Sequence, residues 1–471
     1  ATAATRVDEN GLVNYAEVLG GEEVPSIASI VNVGGGTITQ ISGNSYSSTS
    51  DGTSGSAVRP KFDFNTTAGK RYKLTITPTG TISGTINFDF YDGSSYLFQN
   101  YDFTTTKEIY FTDNGTVFGA FDGTQNYDVS SFTVSIKEEI RDNVPRIDYT
   151  GGGCPHILAE PMRTNVNTDS QDFSKSFYIK DSGVSVGDTN FVSPSGESNA
   201  TQIEVNNNGR IYANVASDTY ASSVFIKAGT FAYFKFGGNV DLVAGTFSGG
   251  TIESFGNGWF KITKQYTGNR PFQIQAYPDG TYSSHTTYGN YYIWGSQIEE
   301  GSYATSYIPT SGSTVTRNQD IFTRDGIGSL INSTEGVLFA EIAALATINN
   351  AADAISIGDG TIANQIAMWY SNATNQFKVL IRQSGNKLFA ILTLTDAKAF
   401  IKVAISYKSG DMKVYINGVS VATSVSPFAF TAPLTLLDLG ATGLGNFNGK
   451  VKQLQVYDTA LTDDQLRQLT Q

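Results

Sequence analysis

Apolar and polar residues alternate along most of this chain, in segments of about 6–10 residues broken by Gly, Asn, Asp and Ser. Tyr72-Lys73-Leu74-Thr75-Ile76-Thr77 and Lys402-Val403-Ala404-Ile405-Ser406-Tyr407 are two such segments. A strand buried on one face needs this period of two. Asp411 to Ala422 predicts a hairpin, because Asn417-Gly418 supplies the positive φ angles of a type I′ turn. Helical periodicity is confined to the last residues. Thr462 can cap a helix, Asp463 and Asp464 suit its positive end, and Leu466 and Leu469 share a face. No repeat of 20–50 residues shows, which argues against a propeller or a parallel β-helix.

The pattern predicts an all-β protein of three consecutive antiparallel β-sandwich domains (jelly-roll or concanavalin A-like) with a short C-terminal helix. An extended segment covers 1–21, and a first sandwich covers 22–140. A turn-rich linker, 141–165, leads to a jelly roll over 166–312. A second linker, 313–332, leads to the last sandwich, 333–471. Both linkers carry turn-formers and little apolar surface, as expected where few contacts cross.

Composition narrows the chemistry. The 471 residues hold 49 Gly, 25 Tyr and 29 Phe but only 3 Met, a β-rich and turn-rich signature. A net charge of −12 opposes bulk attraction to nucleic acid or an anionic membrane. No apolar run of about 18 residues is present to span a bilayer. The N-terminus lacks both an initiator Met and a signal-peptide layout, which suggests a processed chain or a piece of a longer one. One Cys and two His cannot complete a four-ligand zinc site.

Two groups of residues carry a resemblance. Val456-Tyr457-Asp458-Thr459-Ala460-Leu461-Thr462-Asp463-Asp464-Gln465, with the Asn-Gly hairpin before it and the strand Ser333 to Glu341, resembles concanavalin A-like, laminin-G-type lectin domains. Ala4 to Val13, Val144 to Tyr149 with Cys154 to Asn165, and Tyr292 to Thr310 resemble bacteriophage tail-fibre and virion proteins. Together they cover most of the chain, and least of 22–140. The resemblance implies a virion-surface, receptor-binding appendage. Its partners would be a host surface glycan and other virion proteins, and it would assemble as a homotrimer. A secreted bacterial adhesin or polysaccharide-binding protein, a phage head fibre or decoration protein, and a polysaccharide-degrading enzyme are the competing readings.

Candidate chemistry is sparse. Glucanases of the concanavalin A-like fold carry Glu-x-Asp-x-x-Glu on a strand, and this chain has no such motif. Glu299 and Glu300 are adjacent and point to opposite faces, which reads as a solvated edge. Cys154 and His156 sit in a proline-fixed connector with the thiol buried, and His285 in an exposed loop. Arg6, Arg146 and Arg163 read as braces on backbone carbonyls. Trp259 and Trp294 read as core. No catalytic residue is assigned. The resemblance allows calcium at the rim through Asp353 and Asp359, but a loop Asp is also an ordinary turn former, so no metal or cofactor is assigned. Sugar binding is the remaining chemistry. Trp369 and Tyr370, adjacent and so facing opposite ways, and Tyr291 are the candidate glycan-binding residues.

Overall fold

In a computed structural model the chain is nearly all β, with one α-helix, Asp463–Thr470. The structure describes residues 4–22, 27–53, 59–141, 144–347 and 353–471. None of their helices is long and apolar enough to cross a membrane. Strand pairing among them is antiparallel throughout, except for two residues of Asp353–Gly358 that run parallel to Gly445–Asn446. The chain divides into two compact units: residues 17–144, and residues 1–16 with 145–471.

The smaller unit is a sandwich of a five-stranded and a seven-stranded sheet. Alternation does what the sequence asks of it: in Arg71–Pro78, Tyr72, Leu74 and Ile76 point inward. The longest strand, Asn126–Ile140, pairs with both Ser45–Asp51 and Arg71–Pro78. Its core is packed with phenylalanine, and Phe121 meets Phe132 edge-on with centroids 5.3 Å apart. Gly119 is required at this density, since a Cβ there would fall 2.5 Å from the Phe88 ring.

The larger unit holds two sandwiches. The first packs a nine-stranded sheet on a six-stranded one around Val224, Ile226, Phe234, Ile262 and Ile274. The second packs two seven-stranded sheets around Leu338, Ile355, Met368, Phe377 and Val403. Asn417 and Gly418 take φ values of 48° and 81° between Met412–Ile416 and Val419–Ser424, the hairpin read from the sequence. The terminal helix opens with a reciprocal Thr462–Gln465 capping box. Leu466 then buries against Val337, Phe339 and Tyr415 on the outer face of the first of these sheets.

The segments expected to be bare linkers are built into the sheets. Ile147–Asp148 and His156–Ala159 extend the last sandwich beside Gly449–Tyr457. Arg163–Asn165 pairs with both Gly289–Glu300 and Val315–Arg317, and Thr323–Arg324 pairs with Leu436–Asp438. The expected N-terminal segment is also divided. Thr5–Val7 and Val13–Tyr15 form a small hairpin of the larger unit, while Val18–Glu22 joins the first sandwich. Strands of two to five residues are too short to show alternation, yet their backbone groups still complete a sheet edge.

Candidate ligand cleft between the two sandwiches of the larger unit

The outer face of the nine-stranded sheet is not left to solvent. Phe225, Trp259 and Trp294 form a second apolar layer there with Val13 and Tyr307. The segment Ser302 to Thr310 runs across it, and the Tyr307 ring lies 4.8 Å from Trp294. The tryptophans read as core are therefore buried, but under this strap rather than between the sheets.

A buried ion network ties strap, sandwiches and N-terminal hairpin together. Glu160 Oε2 accepts from Arg146 at 2.5 Å and pairs with Arg317 at 2.7 Å, and it also accepts from the Ser306 hydroxyl at 2.7 Å. Its Oε1 takes the Ser306 N–H at 2.8 Å. Arg146 also pairs with Asp320, and Arg317 donates to the Pro161 carbonyl at 2.8 Å. Burial alone would raise the Glu160 pKa, but Arg317 and Arg146 hold it far below the usual carboxylate range. Glu299, expected on a solvated edge, is fully buried and accepts from the Thr305 N–H at 2.9 Å, and burial raises its pKa. It does point opposite to the exposed Glu300; the strap covers its side of the strand. Arg146 is the brace the sequence suggested, although its main partners are carboxylates rather than carbonyls. Arg6 donates to the Ile147 carbonyl at 3.0 Å, and Arg163 stacks on Tyr303 at 5.2 Å.

Above this network lies a cleft of about 470 Å³. One wall is the edge of the nine-stranded sheet, where Glu253 stands across from Lys261, with Thr251, Thr263 and Gln265 beside them. The opposite wall comes from the last sandwich: Ala344 to Thr347, Lys398 and Lys450. Arg6, Asp148 and Tyr303 line its floor and end. Lys261 donates to the Thr305 carbonyl at 3.2 Å. Of the cleft's three carboxylates, Glu160 is held in the network. Asp148 accepts the N–H groups of Val7 and Thr150 at 2.9 and 2.8 Å, 3.6 Å from His156. Only Glu253 is exposed. Burial, with Lys450 and Lys452 nearby, pushes the His156 imidazole down to about 4, so it is neutral at pH 7. This concave wall of hydroxyls, amide, cations and one ring suits a polyhydroxylated ligand.

None of the residues read as glycan-binding reaches this cleft. Tyr291 and Tyr370 are each 1% exposed, inside the cores of the two sandwiches. Trp369 does face away from Tyr370. It lies on the outer sheet face but is only 7% exposed, packed with Ala354, Ala367 and Leu380. The exposed ring there is its neighbour Phe389. Tyr291, Tyr370 and Trp369 are packing residues, with little ring surface open to a sugar. The connector and loop readings change too. Cys154 is exposed rather than buried, while His285 is half-buried, its Nε2 2.9 Å from the Ala276 carbonyl. Asp353 is buried beside Asn448 and pushed up to about 7 by burial, and Asp359 caps its own turn through Thr361. Among the described residues, no group of three or more His, Cys, Asp and Glu is placed to hold a metal.

The cleft residues were missed because tertiary packing alone brings residues about 250, 300, 400 and 450 together. One local signal existed. Asn257-Gly258, with φ values of 49° and 79°, marks the turn that sets Glu253 against Lys261.

Comparison with known proteins bears mainly on the far wall. No curated protein matches the sequence. Several solved structures are similar in part. The CBM40 of a Ruminococcus gnavus IT-sialidase, bound to α2,3-sialyllactose, is 18% identical over 32% of this chain and 98% of its own, with a TM-score of 0.26. Domain 4 of a GH43 extracellular arabinanase from Geobacillus stearothermophilus, in complex with arabinotriose, is 20% identical over 36% of this chain and 83% of its own, with a TM-score of 0.26. A putative carbohydrate binding protein from Bacteroides ovatus is 12% identical over 57% of this chain and 79% of its own, with a TM-score of 0.24. Residues 343–467, most of the last sandwich, match the sequence model of the concanavalin A-like lectin/glucanases superfamily, in its laminin-G form.

Proposed function

We propose that this protein is a non-enzymatic virion appendage, of the tail-fibre or receptor-binding type, that holds a host surface glycan in the cleft between its two larger sandwiches. The cleft carries this reading. One of its walls belongs to the lectin-superfamily match, and the rest of its lining offers hydroxyls, an amide and charges to sugar hydroxyls. Retaining hydrolysis needs two carboxylates about 5 Å apart, and inversion needs them wider. Here two of the three carboxylates are bound up by donors, which supports binding without cleavage. The phage context rests on the sequence phrases around Arg6, Arg146 and Trp294. The same resemblance supports a homotrimer on a symmetric particle. Each site would bind weakly, because sugar hydroxyls exchange water for similar partners, and many copies would supply avidity.

A glycan array on the full chain tests the reading, followed by a reducing-end assay on each glycan bound. Binding without released ends is expected, weakened at least tenfold in Glu253→Ala/Gln265→Ala, which alters only exposed side chains. Released ends would overturn the non-enzymatic reading. Wild-type affinity in the double variant would remove the site from this cleft. Light scattering should give three times the chain mass; a monomer at micromolar concentration would refute the trimer.

A further inference from the structure

We infer that the cleft selects sugars bearing an anionic group, held by Lys450 and Lys398 with Lys261 opposite. This rests on the glycan reading above and names the ligand class for the same site.

The observation is a set of uncompensated cations. The chain carries 43 acids and 31 bases, so acids outnumber bases. Lys73, Lys408 and Lys413 form ion pairs, with Glu108, Glu335 and Asp463. Lys398 and Lys450 do not: among the described residues neither has a carboxylate within ion-pair distance. Both line the same wall. Acids of the same region are held by other donors, Asp396 by the Lys398 backbone N–H at 2.9 Å. Asp148 holds two backbone N–H groups, and Glu160 holds two guanidiniums. Across the cleft Lys261 spends one donor on the Thr305 carbonyl, and exposed Glu253 is its cross-strand neighbour. The Lys450 charge is felt inside the protein, since it helps to depress the buried His156.

This arrangement divides the cleft. The Lys261 side sets a cation across the strand from a carboxylate and suits hydroxyls. The Lys398–Lys450 side carries two ammonium groups, neither of them in an ion pair among the described residues. A walled concavity focuses that potential, and an ammonium is a compact point charge that accepts an anion from several directions. A sugar presenting a carboxylate or sulfate toward Lys450 and hydroxyls toward Glu253, Lys261 and Gln265 satisfies both sides. A long polyanion such as nucleic acid would meet repulsion from the net charge outside the cleft.

The test is calorimetric titration of the full chain with three oligosaccharides of equal length: an oligogalacturonate, its fully methyl-esterified form, and a sulfated oligosaccharide. At least one anionic form should bind tenfold or more tighter than the neutral ester, and the order of the two identifies the group. The preference should fall as salt is raised from 50 to 300 mM. Lys398→Gln/Lys450→Gln, both at solvent-accessible positions, should bring the anionic and ester forms to parity. Equal binding of all three by the wild type would overturn the anion preference and leave the glycan reading standing. An anionic preference that survives in the double variant would overturn the assignment to these lysines. No binding of any of them, alongside a blank glycan array, would overturn both.

Discussion

Substituting Glu160 by Gln should loosen the larger unit by roughly 3 kcal/mol. The change keeps the side chain's shape and one oxygen to accept the Ser306 N–H but removes the charge between Arg146 and Arg317, both almost fully buried. Removing one partner of a buried pair costs about 3–5 kcal/mol, because the other charge is left uncompensated. Asp320 still pairs with Arg146, and Glu299 lies near Arg317, so the lower end applies. All three tryptophans, Trp259, Trp294 and Trp369, lie in the larger unit, so tryptophan fluorescence follows its unfolding alone. At a slope of about 5 kcal/mol per M of guanidinium chloride, 3 kcal/mol moves the midpoint by about 0.6 M. A paired control, Glu160→Leu/Arg317→Met, removes both charges, leaves Arg146 on Asp320, and should cost less than the single change. The pH dependence has a definite sign. The folded-state carboxyl lies far below its ordinary 4.5, so its stabilisation is complete above that pH and fades as pH falls below it. Wild type and variant should therefore converge in acid. A midpoint shift under about 0.2 M at pH 7, or a double variant weaker than the single, would refute this account of the network.

Lys264 offers a test of opposite sign. It is 4% exposed, and burial pushes its ammonium down to about 8, against cation–π contacts with Phe236 and Tyr266 at 4.5 and 5.0 Å. The depression is worth about 3 kcal/mol, and the rings return about 1–2 kcal/mol. A base with a depressed folded pKa penalises folding below that pKa, and the penalty fades as pH rises from about 8 toward 10.5. Lys264→Met should therefore stabilise the protein by roughly 1–2 kcal/mol at pH 7, and thermal melts at pH 10.5 should show no gain. Trp369→Ala should cost about 3–5 kcal/mol and lower the denaturation midpoint, as for any large core truncation, and unchanged stability would return the ring to candidacy as a sugar platform. Thr462→Ala should cost about 1 kcal/mol through the lost capping box, read as a small drop in midpoint.

Sequence reading succeeded where one short stretch carries the whole physical signal. Alternation predicted the strands around Tyr72 and Val403, Asn417-Gly418 predicted its turn, and Thr462 with Asp463 and Asp464 predicted the helix start. It failed where the deciding partner lies far along the chain. Trp369 and Tyr370 do alternate across their sheet, but alternation cannot tell that a loop bearing Ala441 and Leu444 covers the outer face. Glu299 was assigned to solvent because nothing adjacent reveals the strap or Arg317. The cleft is the extreme case. Its charges come from five separate stretches, and neutral-looking local context hides that two lysines there go without acids.

The hairpin of Thr5–Val7 and Val13–Tyr15 has a consequence for how the molecule is made. Its residues leave the ribosome well before their partners: Val7 bonds to Asp148, 141 positions on, and Thr5 to Tyr307, 302 positions on. At roughly 5–20 residues per second, Tyr307 follows Thr5 by about 15–60 s. During that wait residues 17–144, with a complete core of their own, can fold as a separate body. The opening segment thus behaves as a tether held in reserve. It is translated long before its partners and seated only once they follow, so the larger unit closes only after most of its own chain has been synthesised.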